Sequence, residues 1–223
     1  MIKTIFIDVD DTIFDFGAGQ KTALFETFNK LNYYIDESIY SLYDSINISY
    51  WKKFERGETT KDKLIIDRFV TLFNETGIKG DPYRTEDIYR KFLDEQAVWW
   101  DGAEDGVKYL SEKYDLYATT NGCGATQIKR IRKAGLDKYL KDTFISEIIG
   151  YPKPRKEYYE YCFNRSGAEK ESTLAMGDSL TSDIAGGINA GLKTLWCNFK
   201  SLPVPDMKID YVAYNWNDIK NIL

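Results

Sequence analysis

Two aspartates, Asp8 and Asp10, follow an apolar run close to the start of the chain. The run from Lys3 to Ile7 is rich in β-forming residues and predicts a buried strand that ends at Asp8. Side chains two residues apart share one face of an extended chain, so both carboxylates are expected to face the same place. Two like charges so close together are costly unless a cation or a proton accompanies them. The pair therefore predicts a metal or catalytic site, with an Asx turn over the Asp-Asp-Thr stretch as the alternative.

The chain contains no histidine, and this restricts the chemistry available to those carboxylates. A Ser-His-Asp or Cys-His arrangement, an imidazole metal ligand and a histidine proton shuttle are all excluded. A bound metal would have to be a hard cation with oxygen ligands, and proton transfer would have to use a carboxylate, a lysine or a tyrosine. The net charge of −5 and the lack of a basic run argue against nucleic-acid binding through phosphate contacts.

Length and composition indicate a globular protein in a reducing compartment. The 223 residues suffice for one large domain or for one domain with an insertion. No apolar stretch reaches the roughly 18 residues of a membrane span, and Met1 leads directly into the first strand, so neither a membrane segment nor a signal peptide is expected. Cys123, Cys162 and Cys197 lie far apart, which favours free thiols over disulfides or a zinc site and predicts a cytoplasmic location.

The elements that must position the aspartates fall into two groups with different periodicity. Residues 16–98 carry apolar stripes at helical spacing and predict about four amphipathic helices, and the two glycines within residues 15–19 predict a hinge before them. From residue 99 onward strands alternate with helices, which predicts a Rossmann-like parallel sheet with helices on both faces. The predicted fold is therefore α/β, with a catalytic core of residues 1–15 and 99–223 and a helical insert at 16–98.

Polar side chains gather at one end of the predicted strands, where an open parallel sheet binds its ligands. The residues placed there are Asp8, Asp10, Thr120, Asn121, Lys153, Asp178 and Asp183. Three converging carboxylates without a histidine repel one another, and Mg²⁺ held by oxygen ligands would relieve that repulsion. A lysine and a hydroxyl beside them suit a phosphoryl group, which an ionised carboxylate can attack in line.

The same stretches resemble, in order, the four motifs of the haloacid dehalogenase (HAD) superfamily. They are DVDDT at residues 8–12, TTNG at 119–122, KP at 153–154 and GDSLTSD at 177–183. The helical insert resembles the C1-type cap of that superfamily, and the stretches FISEIIG and GDSLTSDIAGGINAGLKTLWCN are most similar to its pyrimidine 5′-nucleotidase-like subgroup. The resemblance implies a HAD-like fold with a cap, a Mg²⁺ cofactor and a small phosphorylated metabolite as the substrate.

The resemblance also implies a role for each residue that matches a motif. Asp8 would be the nucleophile and a ligand of Mg²⁺, and Asp10 would protonate the leaving oxygen and then deprotonate water, with its backbone carbonyl on the metal. Thr120 would hydrogen-bond the phosphoryl group, helped by the backbone amide of Asn121. Lys153 would pair with both the phosphate and Asp8.

Two further aspartates complete the implied metal site. Asp178 would ligate Mg²⁺, and Asp183 would act through water or through contact with another ligand. For Asp183 the alternative is an acid in the first turn of a helix, favoured there by the helix dipole. For Thr120 the alternative is an ordinary hydroxyl at the end of a strand.

Residues and resemblance together predict a Mg²⁺-dependent phosphatase that hydrolyses small phosphomonoesters through an aspartyl phosphate. Nucleoside 5′-monophosphates are the favoured substrates, while the oligomeric state stays open. A dehalogenase is disfavoured, because the displacement of a halide needs no leaving-group acid such as Asp10. A phosphomutase of the same fold and a non-catalytic protein that binds phosphorylated metabolites are the remaining alternatives.

Overall fold

One six-stranded parallel sheet forms the centre of the computed structural model, which describes residues 1–223. The strands are β1 (Thr4–Asp8), β2 (Asp115–Thr120), β3 (Asp142–Ile145), β4 (Thr173–Gly177), β5 (Lys193–Cys197) and β6 (Tyr211–Ala213). Their spatial order is β3-β2-β1-β4-β5-β6, and every neighbouring pair is parallel. The first strand therefore lies in the middle of the sheet, and the predicted α/β fold is confirmed.

Strand β1 shows that the sheet is covered on both faces. All five of its residues are buried. Ile5 and Ile7 point to one face, where they belong to the same core as Trp216. Phe6 points to the opposite face, in a second core that includes Tyr158. A strand that is apolar on both faces is typical of a parallel sheet between two layers of helices.

Ten α-helices accompany the sheet, and several of them begin or end at residues suited to those positions. They are α1 (Phe16–Leu31), α2 (Glu37–Glu55), α3 (Lys61–Thr76), α4 (Pro82–Leu93), α5 (Ala103–Ser111), α6 (Gly124–Lys133), α7 (Ser146–Ile149), α8 (Lys156–Ser166), α9 (Ala185–Ala190) and α10 (Trp216–Ile222). The side chains of Asp36 and Asp81 cap α2 and α4, and Gly77 ends α3 with a φ of 74°. Short 3₁₀ turns lie at Leu136–Tyr139 and Lys170–Ser172, and a π-helical segment lies at Leu180–Ile184. None of these helices has both the length and the apolar character that crossing a membrane requires.

The chain divides into two compact units. Unit 1 consists of Met1–Phe16 and Ala97–Leu223, and unit 2 of Gly17–Gln96. Both glycines of the hinge expected at residues 15–19 lie within α1, which begins at Phe16, and the boundary between the two units falls between Phe16 and Gly17. A Cβ on Gly19 would lie 3.0 Å from the Cβ of Gln96, so close packing explains the glycine at this position.

The chain leaves unit 1 and returns to it at one place. The backbone amide of Asp15 donates to the carbonyl of Val98 at 2.8 Å. Phe14 forms an isolated antiparallel bridge with Trp99, and their rings meet edge to face with centroids 5.3 Å apart. The two segments that flank the helical insert are therefore held together by backbone hydrogen bonding within unit 1.

Unit 2 contains a buried polar network. Arg68 is 4% exposed, and its guanidinium donates to Glu86 at 2.6 Å and to the side chain of Asn47 at 2.9 Å. Asn47 in turn donates to Gln20 at 2.7 Å, and the guanidinium lies 5.0 Å from the ring centroid of Tyr89. A buried ion pair is tolerated only where its polar atoms have partners, and this network supplies them.

Replacing Arg68 with methionine is expected to lower the free energy of unfolding by about 3–5 kcal/mol, because Glu86 would stay buried without its main partner. Urea unfolding followed by far-UV circular dichroism measures the effect. The matched control is Lys91→Met, which removes an ion pair with Asp87 whose side chains are 70% and 65% exposed. That control should change the free energy by less than about 1 kcal/mol. Equal stabilities of the two variants would contradict the prediction.

Candidate active site

The predicted site residues come from the carboxyl ends of three adjacent strands. Asp8 is the last residue of β1, Thr120 is the last residue of β2, and Asp178 directly follows β4. Strand β1 lies between the other two, and Asp8 is in register with Thr119 of β2. Lys153 comes from the loop between α7 and α8. The strand order therefore brings together residues that are far apart in the sequence.

Three carboxylates cluster at the carboxyl ends of these strands, and we call the three together the carboxylate group. Asp8, Asp178 and Asp183 each place one oxygen within 4.8 Å of the others. Asp183 lies in the π-helical segment after β4, and its second oxygen accepts a hydrogen bond from the backbone amide of Ser179 at 3.1 Å. Gly177 leaves room for this side chain, since a Cβ there would lie 2.3 Å from the Cγ of Asp183. Asp183 therefore belongs to the same group as the two aspartates at the strand ends.

Lys153 pairs with two of these carboxylates. Its ammonium donates to Asp8 and to Asp183, each at 2.6 Å, and to the carbonyl of Thr119 at 2.9 Å. The side chain is 1% exposed. An ammonium has three hydrogens, and all three are used by these partners. The expected pairing with Asp8 is present, and in this arrangement Lys153 can act on a phosphate through its charge alone.

Burial and charge shift the pKa values of this group. Burial raises the pKa of Asp8 well above its usual value, and the charge of Lys153 offsets this only in part. Burial likewise raises the pKa of Asp178, and the charges of Asp11 and Asp8 raise it further. For Lys153, burial lowers the pKa, but the charges of Asp183 and Asp8 outweigh burial and raise it well above its usual value. The lysine is therefore charged, and burial is the main cause that disfavours the charged forms of Asp8 and Asp178.

The charges at this edge do not balance. The aspartates are Asp8, Asp10, Asp11, Asp178 and Asp183, and the paired cations are Lys153, Arg130 and Lys200. Five acids and three bases leave an excess of two negative charges, which one divalent cation would neutralise. Every side-chain atom that the carboxylate group offers as a metal ligand is an oxygen, so these residues fit a hard cation such as Mg²⁺.

Asn121 connects the loop after β2 to the loop that carries Lys153. Its side-chain amide donates to the carbonyl of Lys153 at 3.0 Å and accepts from the amide of the same residue at 2.9 Å. On the other side of the group, the indole of Trp196 donates to the carbonyl of Asp178 at 2.8 Å. Sequence reasoning gave Asn121 only a backbone role, and the structure adds this connection between loops.

Two residues of α6 that sequence reasoning did not select contact Asp10. Arg130 donates to one carboxylate oxygen at 2.5 Å, and Gln127 donates to the other at 2.6 Å. Gln127 also donates to the hydroxyl of Thr120 at 2.7 Å. Residues three apart share a helix face, so Gln127 and Arg130 lie beside the buried Ile131. Two polar residues on a buried helix face are a signal that would have indicated polar partners.

Comparisons with known proteins give a consistent set of matches. A family model described as haloacid dehalogenase-like hydrolase matches residues 2–191. YfnB of Bacillus subtilis, described as a HAD-hydrolase, is 43% identical over 207 residues, which cover 92% of this chain and 86% of that protein. PynA, a pyrimidine 5′-nucleotidase of Streptococcus pneumoniae, is 35% identical over 229 residues, covering 99% and 97%. YjjG, a pyrimidine 5′-nucleotidase of Escherichia coli, is 29% identical over 195 residues, covering 87% and 85%.

A solved structure extends the likeness to the whole chain. The crystal structure of YfnB bound to magnesium matches with a TM-score of 0.94 and 41% sequence identity, covering 100% of this chain and 98% of that chain. That crystal form is described as revealing interdomain movement. The bound magnesium of that protein agrees with the oxygen-only donor set found at the carboxylate group of this chain.

Proposed function

We propose that this chain, which belongs to the haloacid dehalogenase-like hydrolases, is a Mg²⁺-dependent phosphatase of small phosphomonoesters. The observation that carries the proposal is the different surroundings of two neighbouring aspartates. The buried Asp8 belongs to the carboxylate group beside Lys153, whereas Asp10 contacts Arg130 and Gln127. Two carboxyl groups in different surroundings can take different roles in one reaction. The match of DVDDT at residues 8–12 to the first motif of the family assigns the nucleophile to Asp8 and the acid to Asp10.

In the first half of the proposed reaction, Asp8 attacks the phosphorus of the ester. A carboxylate oxygen bonds to phosphorus, and the bond from phosphorus to the leaving oxygen breaks as Asp10 gives that oxygen a proton. Thr120 donates a hydrogen bond to the phosphoryl group, and the charge of Lys153 offsets the negative charge of that group. The products are a free alcohol and an aspartyl phosphate on Asp8.

In the second half, Asp10 removes a proton from water, and the water oxygen attacks the aspartyl phosphate. The acyl-phosphate bond breaks, inorganic phosphate leaves, and Asp8 is regenerated while Asp10 is again protonated. Asp8 and Asp178 would hold Mg²⁺, with Asp183 and the backbone carbonyl of Asp10 as further candidate ligands, and the ion would supply positive charge at the transferring group.

Nucleoside 5′-monophosphates are the substrates that we favour. The support is the likeness to PynA and YjjG, both pyrimidine 5′-nucleotidases, at 35% and 29% identity. We assign the choice among esters to the helical unit Gly17–Gln96, because it is inserted between the first and second motifs, where a C1 cap occurs. Under this proposal the core performs the phosphoryl transfer and the insert selects the leaving group.

Phosphate release from a panel of esters in the presence of Mg²⁺ tests the proposal. The panel contains UMP, dUMP, dTMP, AMP, sugar phosphates and p-nitrophenyl phosphate, with uridine 3′-monophosphate as the positional control. We expect turnover of p-nitrophenyl phosphate and faster turnover of a pyrimidine 5′-monophosphate than of the 3′-isomer. Tight binding of an ester without any phosphate release would identify a binding protein, and an accumulating bisphosphate would identify a phosphomutase.

A further inference from the structure

Helix α6 carries two buried polar residues that the proposed reaction does not yet use. Gln127 and Arg130 are each 1% exposed. The guanidinium of Arg130 lies over the rings of Phe14 and Phe16, with centroid distances of 5.3 and 5.5 Å. Burying an arginine among aromatic rings is costly unless its hydrogens reach acceptors, and here the two hydrogens of Nη1 reach Asp10 and Gln127.

Arg130 determines which way the amide of Gln127 faces. A guanidinium can only donate hydrogen bonds, and Nη1 of Arg130 donates to Oε1 of Gln127 at 3.1 Å. The oxygen of the amide must therefore face the arginine, and its nitrogen must face the other way. That nitrogen donates one hydrogen to Asp10 at 2.6 Å and the other to Thr120 at 2.7 Å. One amide nitrogen thus fixes the spacing between the acid and the hydroxyl.

The hydrogen bonds of Thr120 have a direct chemical consequence. A hydroxyl has one hydrogen and two lone pairs. The hydroxyl of Thr120 accepts one hydrogen bond from Gln127 at 2.7 Å and another from the backbone amide of Gly122 at 3.0 Å. Both lone pairs are then occupied, so the hydroxyl hydrogen is the part that remains for a ligand. Gln127 thereby makes Thr120 a donor, which is the role needed toward a phosphoryl oxygen.

Gly122 completes the local arrangement. A Cβ at this position would lie 2.3 Å from the amide nitrogen of Gln127. An alanine would therefore displace that nitrogen while leaving the chemical identity of Gln127 unchanged. By contrast, a Cβ on Gly124 would meet its nearest side-chain atom at 3.7 Å, which is ordinary contact. Gly122, just before α6, and Gly124, its first residue, therefore provide a perturbing substitution and its matched control two residues apart.

We propose that Gln127 is a positioning residue for the phosphoryl transfer, holding Asp10 toward the leaving oxygen and Thr120 as a donor to the phosphoryl group, with Arg130 orienting its amide. This inference rests on the proposed function and adds two residues to it. Neither residue takes part in bond making or breaking. Their effect depends on the direction in which Asp10 and Thr120 point.

The test compares kcat/KM for two esters with different leaving groups. A nucleoside 5′-monophosphate has a poor alkoxide leaving group that needs a proton, whereas p-nitrophenolate leaves well without one. Because kcat/KM covers steps only through departure of the leaving group, the later hydrolysis of the aspartyl phosphate does not enter the comparison. A well-placed general acid contributes roughly 10²–10⁴-fold, so a misplaced one should cost the nucleotide about tenfold more than the aryl ester.

We expect Gln127→Met and Gly122→Ala to lower the nucleotide-to-aryl ratio of kcat/KM by about tenfold or more. Gly124→Ala and the exposed Arg132→Lys of the same helix should leave the ratio unchanged. Equal losses on both esters, or no loss on either, would overturn the positioning role. If the wild-type chain hydrolyses neither ester, the proposed function itself fails, whereas wild-type turnover with an unchanged ratio in both variants removes only the role of Gln127.

Discussion

Replacing Asp8 with asparagine is expected to lower kcat/KM for any phosphomonoester by about 10⁴-fold or more, a loss of the size seen when other enzymes lose their nucleophile. A carboxamide has nearly the shape of a carboxylate but cannot form the acyl-phosphate bond. The variant should fold normally, because burial and the neighbouring carboxylates already raise the pKa of Asp8 and disfavour its charge. Removing that charge relieves repulsion from Asp183 and Asp10, and Lys153 keeps its ion pair with Asp183, so the thermal midpoint without metal should be at least that of the wild type.

Phosphate release and thermal melting of the same preparations measure both effects. Asp105→Asn, an identical chemical change at an exposed position of α5, is the control and should leave both quantities unchanged. A second measurement is mass spectrometry of protein quenched during turnover, which should find phosphate on Asp8 in the wild type alone. Turnover by Asp8→Asn within about tenfold of the wild type would exclude the aspartyl-phosphate route.

Chelation of divalent cations is expected to abolish turnover and to lower the melting temperature. The five aspartates at the carboxyl ends of the strands are buried or half-buried, and they exceed the paired cations by two charges. Neutralising this excess should stabilise the folded chain. At a Mg²⁺ concentration 100 times its dissociation constant, binding contributes about 2.7 kcal/mol. For a chain of this length, that free energy corresponds to a shift of about 5–10 °C.

Thermal melting with EDTA and with excess Mg²⁺, at equal ionic strength, measures the shift. Asp178→Asn removes one carboxylate of the group and should reduce the shift severalfold, while the exposed Asp105→Asn should retain it. An unchanged melting temperature together with full turnover in EDTA would contradict a metal at this site. Loss of turnover without any change in melting would place the metal on the substrate instead.

The gathering of site residues at the carboxyl ends of the strands could be predicted from the sequence, because each strand end is marked by a local pattern. An apolar run that ends in Asp8 defines a buried strand and its end, and the alternation of strands and helices implies a parallel sheet. The resemblance to the haloacid dehalogenase superfamily is confirmed by the match over residues 2–191. Asp183 was harder to assign, because its membership of the carboxylate group depends on a π-helical segment that periodicity does not reveal.

The polar support of the site could not be predicted in the same way. Gln127 and Arg130 contact Asp10 across separations of 117 and 120 residues, and no local pattern encodes such a pairing. The network around Arg68 in unit 2 is similar, since helical spacing shows which residues share a face but not which helix they meet. Gly19 of α1 illustrates the converse, because a glycine that suggested backbone freedom lies within a helix and packs closely against Gln96.

The backbone pairing between the segments that flank the helical insert has an evolutionary consequence. Since Asp15 is hydrogen-bonded to Val98 and Phe14 forms a β-bridge with Trp99, the chain leaves unit 1 and returns to it at one junction. A longer, shorter or unrelated segment can replace the insert at that junction without changing the order of the strands in the sheet. If the insert selects the substrate, as proposed, specificity can diversify by exchange of that one segment while the residues at the ends of the strands stay unchanged.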